Sequence, residues 1–264
     1  MEIKELNKTI VKTYRKTIWK PVIKALDEYQ MLKEGDKIAV CISGGKDSFL
    51  LALVLRELRR HYKVKFDLEY IVMNPGYDEK TLKLIKQNAC LFELDIKIFD
   101  TDIFKTIEND TKPCYVCARK RRGHLYNKAM ELGCNKIALG HHFDDVIETI
   151  MLNILYAGAF GSMLPKLKSE HYPNMELIRP MYLVKERDIT RWTETNNLTF
   201  SGCACSVASK KTDSKRREMK ELIASLRKVY SDVDKNIFKS SENVNLNTIL
   251  GYLDDERHSF LDKY

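Results

Sequence analysis

A chain of 264 residues with 44% hydrophobic residues suits one large domain, or one domain with small appendages. No apolar stretch approaches the ~20 residues needed to cross a bilayer, and the lysine-rich residues 1–20 hold no apolar core or small-residue cleavage site, so neither a membrane span nor a signal peptide is expected and a soluble cytoplasmic protein is. The net charge of +8 is unevenly spread, with Arg119-Lys120-Arg121-Arg122 as one basic block and Lys210-Lys211 with Lys215-Arg216-Arg217 as another, which suits a polyanionic partner, and the odd count of seven cysteines without a secretory signal argues against a disulfide scaffold.

Residues 1–32 read as a helical segment. Ile10, Tyr14, Ile18, Val22, Ala25 and Tyr29 recur at three- and four-residue steps, and Pro21 is expected to bend or break it. Glu34-Gly35-Asp36 is a turn into a first strand over 37–42, followed by a helix over 48–60. A strand over 66–73, a helix over 78–92 and a strand over 94–99 come next. A helix over 117–132, a strand over 136–140 and a helix over 144–157 follow. Strands alternating with helices of this length predict an α/β fold, a doubly wound parallel sheet built of right-handed βαβ units. Ligands of such sheets bind beyond the C-terminal strand ends. Residues 158–175 read as a long connection, with a short strand over 176–179 and a helix over 185–196 after it. Two helices, over 213–229 and 232–242, precede a less regular tail and are expected to pack on the main domain. The expected organisation is a helical segment over 1–32, an α/β domain over 33–200, and a cysteine loop with helices over 201–264.

The first strand runs into Ser43-Gly44-Gly45-Lys46-Asp47-Ser48. Gly44 and Gly45 allow the backbone to curl and present N–H groups to an anion. The following helix aims its N-terminal N–H groups and positive dipole end at the same point. Ser43 and Ser48 add hydroxyls, Lys46 a mobile charge, and Asp47 a carboxylate suited to Mg²⁺. The spacing is neither GxxxxGK[ST] nor GxGxxG.

Cys114-x-x-Cys117 follows Pro113 and opens a helix, where the dipole favours thiolate. Redox dithiols, zinc sites and iron–sulfur sites all use this arrangement. The other candidate ligands are Cys203 and Cys205, whose CxC spacing is poorer than CxxC for one tetrahedral metal. Three cysteines on a four-iron cluster would leave one iron open. Cys41, Cys90 and Cys134 read as packing residues. Gly140-His141-His142-Phe143-Asp144-Asp145 ends a strand and enters a helix, with Asp144 or Asp145 as its cap and His141 near the phosphates.

The short Ser-Gly-Gly-x-Asp-Ser loop resembles the PP-loop of the ATP pyrophosphatase superfamily. With Cys114-x-x-Cys117-x-Arg119-x-Arg121-Arg122, Lys136-Ile-Ala-Leu-Gly-His-His142-x-Asp144-Asp145, Pro165-Lys166-Leu167, Ile178-Arg179-Pro180 and Arg187-Asp188-Ile189, the chain resembles the TtcA family of tRNA thiolation enzymes, which make 2-thiocytidine in the anticodon loop. Lysidine synthetases share the loop and the His-His-x-Asp-Asp turn but lack the cysteine set. The resemblance implies a [4Fe-4S] cluster held by Cys114, Cys117 and Cys203, with Cys205 possible as third ligand because the family's second CxxC is CxC here. It also implies ATP with its phosphates on Ser43, Gly44, Gly45, Lys46, Asp47 and Ser48, its base near Met73, and His141 and Asp145 at the same site. Asp47 and Asp145 are the expected carboxylates for Mg²⁺. Expected partners are tRNA, held by Arg119, Arg121, Arg122 and the 210–217 cluster, a sulfur donor such as a cysteine desulfurase, and a second copy of the chain. A cluster-free persulfide thiolase, a lysidine-type ligase, and a redox- or iron-sensing protein are the competing expectations.

Overall fold

A computed structural model describes the backbone of residues 3–103, 113–201 and 212–263, with side chains throughout except at 113–119, 212–214 and 263. The chain forms two compact units, Met1–Val146 with Leu164–Lys215 and Ile147–Met163 with Arg216–Tyr264.

The first unit opens with α1 (Ile3–Lys8) and α2 (Lys20–Glu28), joined by two wide turns with π-type hydrogen bonding, Thr9–Thr13 and Arg15–Trp19. Ile10, Tyr14, Ile18, Val22 and Ala25 are buried, as their spacing predicts. Pro21 falls in the first turn of α2, where a missing N–H is least costly. The expected break is therefore taken up as a change of helical pitch.

Next come β1 (Asp36–Cys41), α3 (Lys46–His61), β2 (Phe66–Asn74), α4 (Glu79–Leu91), β3 (Ile96–Asp100), α5 (Pro113–Glu131), β4 (Lys136–Ala138), α6 (Phe143–Leu152), β5 (Lys166–Lys168), β6 (Glu176–Ile178) and α7 (Glu186–Thr195). The six strands make one sheet in the order β3-β2-β1-β4-β6-β5. Pairs β1–β2, β1–β4, β2–β3 and β4–β6 are parallel, with Ala39 opposite both Glu69 and Ile137. The direction of winding reverses between β1 and β4, which is where doubly wound sheets open a ligand crevice. Ile38, Ala39, Val40, Ile71, Val72, Ile137, Ala138, Leu177 and Ile178 are buried, as strands covered on both faces require.

Four sequence readings need correction. The connection expected over 158–175 contains β5, which runs antiparallel to β6, so the sheet is mostly rather than wholly parallel. A Lys-Leu-Lys strand at a sheet edge carries no hydrophobic pattern, and its lysines suit an exposed edge. Helix α3 begins at Lys46 instead of 48, because Gly45 is its N-cap and the first turn has no apolar periodicity. Cys90 is exposed, since the buried face of α4 is Ile85, Asn88 and Ala89. The tail forms a hairpin, β7 (Gly251–Leu253) with β8 (Arg257–Ser259), too short to register as alternation.

The second unit holds α8 from Arg216 onward (the helix spans Thr212–Val229) and α9 (Val233–Ser240). Within it Arg216 pairs with buried Glu148 at 2.9 Å, and Arg227 with buried Asp234 at 3.4 Å. Among the described residues no helix is long and apolar enough to cross a membrane.

Candidate active site

Beyond Cys41 the strand pairing continues for one residue, with Ile42 N–H donating to Ile71 O at 2.8 Å. The backbone then turns through Gly44 at φ +92°, in the left-handed region. A β-carbon there would lie 2.5 Å from Ser201 Oγ and 2.9 Å from the Ile85 side chain. Gly44 is thus required twice, for its φ and for lack of room. Gly44→Ala is expected to add ~1–2 kcal/mol of backbone strain before any clash is relieved, and to weaken ATP-analogue binding by roughly tenfold or more. Equilibrium titration beside a thermal melt checks this, since a pure folding defect would move only the melt.

Ser48 closes the loop from within. Its buried hydroxyl donates to Gly45 O at 2.8 Å and accepts from Ser43 N–H at 3.2 Å, with Ser43 Oγ 3.3 Å away. Gly45 caps α3 with no side-chain hydrogen bond, so the first turn faces the loop without a side-chain acceptor of its own. Tyr77, after β2, reaches the loop by donating from its hydroxyl to Ser43 O at 3.4 Å. Met73, expected beside the adenine, is buried at the end of β2 against Ile103, Phe99 and Leu125.

Lys46 lies in the first turn of α3, with Nζ 3.2 Å from Asp47 Oδ1 and 3.3 Å from Glu186 Oε1. Burial works to lower the pKa of Lys46, but the charges of Asp47 and Glu186 outweigh it and hold the ammonium above its usual range. Asp47 Oδ1 is buried and accepts no hydrogen bond. Lys46 is in ion-pair contact with it, and His142 Nε2 lies 4.0 Å away.

The turn after β4 closes on the same loop. A β-carbon on Gly140 would lie 3.1 Å from Asp47 C and Ser48 N, so glycine lets the two loops meet. His142 caps α6. Its backbone N–H donates to Asp145 Oδ2 at 2.9 Å, and Asp145 N–H donates back to His142 Nδ1 at 3.4 Å. This is a reciprocal capping arrangement with histidine in the serine position. Asp144 instead accepts from Glu186 N–H at 2.7 Å, tying α6 to the start of α7. His141 Nδ1 accepts from Arg179 Nε at 3.2 Å, which leaves the proton of a neutral ring on Nε2. Burial pushes the Arg179 guanidinium down to about 10.

Of the residues expected at the nucleotide site, Ser43, Gly44, Gly45, Lys46, Asp47, Ser48 and the His141–Asp145 turn meet at the β1/β4 crevice. Glu186, Tyr77 and Ser201 were not anticipated. Glu186 offered one signal, an acid in the first turn of a helix directly before Arg187. Cys114 and Cys117 stand one turn apart in α5, about 4.5 Å along the axis, but their side chains, that of Arg119, and the whole of Cys203, Cys205, Lys210 and Lys211 lie outside the described residues. Lys120 and Arg122 are exposed and Arg121 is half-buried, while Lys215, Arg216 and Arg217 are exposed. Burial pushes the Cys41 thiol far up, and that of Cys134 to about 11, so both are inert packing thiols, as expected.

The family model described as PP-loop domain matches residues 15–207. A tRNA-cytidine(32) 2-sulfurtransferase from Syntrophotalea carbinolica is 37% identical over 77% of this chain and 79% of its own length. One from Geobacter metallireducens is 35% identical over 88% and 91%. Among solved structures, the U34-tRNA thiolase NcsA from Methanococcus maripaludis with its [4Fe-4S] cluster superposes with a TM-score of 0.67 at 22% identity, over 84% of this chain and 76% of that one, a likeness of fold. With its glycine-bent loop, the acid-flanked lysine and the His-His turn on adjacent strand ends, the chain belongs to the tRNA-cytidine(32) 2-sulfurtransferase family of PP-loop proteins.

Proposed function

We propose that this protein replaces the C2 oxygen of a cytidine in a tRNA anticodon loop with sulfur at the expense of ATP. The observation that carries the reading is the closure of the Gly44–Ser48 loop on Gly140–His142, a phosphate cradle in a chain whose relatives are named for that reaction.

A pyrimidine C2 carbonyl resists substitution because its oxygen is a poor leaving group. Attack of that oxygen on the α-phosphorus forms an O–P bond and breaks the Pα–O–Pβ bond, releasing pyrophosphate. Sulfur at the hydrosulfide level then adds to C2, and the C2–O bond breaks with AMP as leaving group. Lys46 and the N–H groups opening α3 stabilise the charge that develops on the departing pyrophosphate. Ser48, turned inward, shapes the loop, and Ser43 and the backbone are left to meet phosphate. His141 presents Nε2–H as a donor, held by Arg179. Extrusion of the base costs less from a single-stranded loop than from a duplex.

Mg²⁺ suits Asp47. A buried carboxylate oxygen that accepts no hydrogen bond is a hard-cation ligand in waiting. Mg²⁺ held with nucleotide takes one or two carboxylates plus phosphate oxygens. Asp145 is the second candidate, with one oxygen engaged in the α6 cap. Cys114, Cys117 and Cys203, with Cys205 as alternative, are thiol donors of the type that holds a [4Fe-4S] cluster. With three protein thiolates, such a group would supply one open iron as a place for sulfur. A cysteine desulfurase as donor, a homodimer and a cytoplasmic setting complete the reading.

The test is mass spectrometry of tRNA nucleosides from a deletion strain complemented with wild type or with Cys114→Ala, Cys117→Ala or Cys203→Ala. Wild type is expected to restore 2-thiocytidine. Each cysteine variant is expected to lose it almost completely while pyrophosphate release persists in vitro. Full thiolation by the three variants would remove the cysteines from the chemistry.

A further inference from the structure

From Lys8 to Lys24 the sequence holds six cations, Lys8, Lys12, Arg15, Lys16, Lys20 and Lys24, and no acidic residue. All six are exposed, on the opposite side from the buried Ile10, Tyr14, Ile18 and Val22. Lys8 is matched by Glu5 at 3.4 Å and Lys24 by Glu28 at 3.6 Å. Lys12, Arg15, Lys16 and Lys20 have no carboxylate within ion-pair distance among the described residues.

What lies beneath this strip gives it direction. Tyr14 donates from its hydroxyl to Arg191 O at 3.1 Å, and Trp192 Nε1 donates to Thr9 Oγ1 at 3.1 Å. Both bonds seat the strip on α7. The exposed residues of α7 include Arg187 and Arg191, one turn apart, and the Arg187 side chain is 77% exposed, with Asp188 at 3.9 Å its one carboxylate within ion-pair distance among the described residues. The residue before Arg187 is Glu186, which pairs with Lys46 of the phosphate loop. Arg187 and Arg191, with exposed Glu194 beyond them, thus stand on the helix that links the rim of the ATP site at Glu186 to the N-terminal strip.

We propose that Arg187, Arg191, Lys12, Arg15, Lys16 and Lys20 form a track for the sugar-phosphate backbone of the tRNA whose base enters the site. The proposal rests on the tRNA reading above. Phosphate contacts set position and affinity and carry no sequence information, so the track acts on binding and leaves the choice of nucleoside to the pocket.

The test titrates an unmodified tRNA transcript into the full-length protein from about 50 to 200 mM salt. Wild type is compared with Lys12→Gln/Arg15→Gln/Lys16→Gln/Lys20→Gln and, separately, Arg187→Gln/Arg191→Gln. The quadruple variant is expected to lose roughly 10–100-fold in affinity at low salt and two to four from the log–log salt slope, about one per lost contact. Its melting midpoint and ATP-analogue affinity stay at wild-type values, because all four side chains are exposed. A charge-keeping Lys12→Arg/Lys16→Arg/Lys20→Arg variant is expected to retain the slope. Equal slopes for wild type and both glutamine variants would overturn the track and leave the thiolation reading standing. A wild-type protein that binds tRNA at no salt concentration would overturn both.

Discussion

Lys46→Ala is expected to slow RNA-dependent pyrophosphate release by about 10²–10³-fold, the usual effect of deleting one preorganised charge-stabilising donor. The structure explains why one residue carries so much. Lys46 is held between Asp47 and Glu186, at 3.2 and 3.3 Å, so its ammonium stays charged and is already oriented when nucleotide arrives. Its removal leaves two carboxylates facing an incoming polyanion. The loss is therefore expected in ATP affinity as well as in turnover. Side chains of Asp47 and Glu186 are 29% and 22% exposed, so water can solvate them and the fold should lose no more than about 1 kcal/mol. Glu186→Gln removes the orienting charge and keeps the lysine, so a milder defect of roughly tenfold is expected, mostly in turnover. Pyrophosphate release followed beside thermal melts separates these outcomes. An active Lys46→Ala enzyme would exclude the lysine from the chemistry.

Lys136→Met is expected to lower stability by about 3 kcal/mol and the melting midpoint by roughly 6–12 °C, without touching the active site. Lys136 is 2% exposed at the start of β4, hydrogen-bonded to Glu176 on β6 and 3.5 Å from Asp36 on β1. Removing one member of a buried ion network strands the others. Part of the burden is shared, since Asp36 also accepts from Lys33 N–H at 2.7 Å and Asn135 Nδ2 at 2.8 Å, and Glu176 keeps Lys166 at 3.4 Å. That sharing puts the expected loss at the low end for such pairs. Burial works to raise the pKa of Glu176, but the Lys136 hydrogen bond and the charges of Lys136 and Lys166 outweigh it and hold the carboxyl below its usual 4.5. A depressed carboxylate contributes stability that is complete above the unfolded value and is lost as pH falls through the folded one. The gap between wild type and Lys136→Met should therefore be widest near neutrality and narrow below about pH 4.5. Adding Glu176→Gln to Lys136→Met should recover part of the loss at pH 7, because Glu176 then no longer needs Lys136 as counter-charge, although Asp36 still does. Melts from pH 3 to 7 would show this, and a gap independent of pH would argue for lost packing alone.

Elements with a strong local pattern were legible. The apolar run at 38–42, the glycine break after it, and the three- and four-residue spacing at 10–25 each follow from backbone sterics and from burial on one face. The edge strand β5 and the hairpin β7–β8 were not, because three-residue strands owe their existence to a neighbour's open hydrogen-bonding groups and leave no periodicity of their own. Cys90 shows the same limit. Its helix was visible, but which residues of it the sheet covers depends on how the helix rolls against β-strands far away in the chain.

By itself the amino-acid order determined a glycine-bent turn at 43–48 of a form suited to phosphate, a second turn at 140–145, and the spacing of Cys114, Cys117, Cys203 and Cys205. Tertiary structure alone decided that Lys46 is held by a glutamate 140 residues away, that Ser48 faces inward, that Gly44 is pinned beneath Ser201, and that His142 lies 4.0 Å from Asp47. The reason is the range of the forces. Glycine torsions, helix caps and apolar spacing act within a few residues, whereas those contacts exist only because parallel pairing sets β1 beside β4 and brings the start of α7 to their ends.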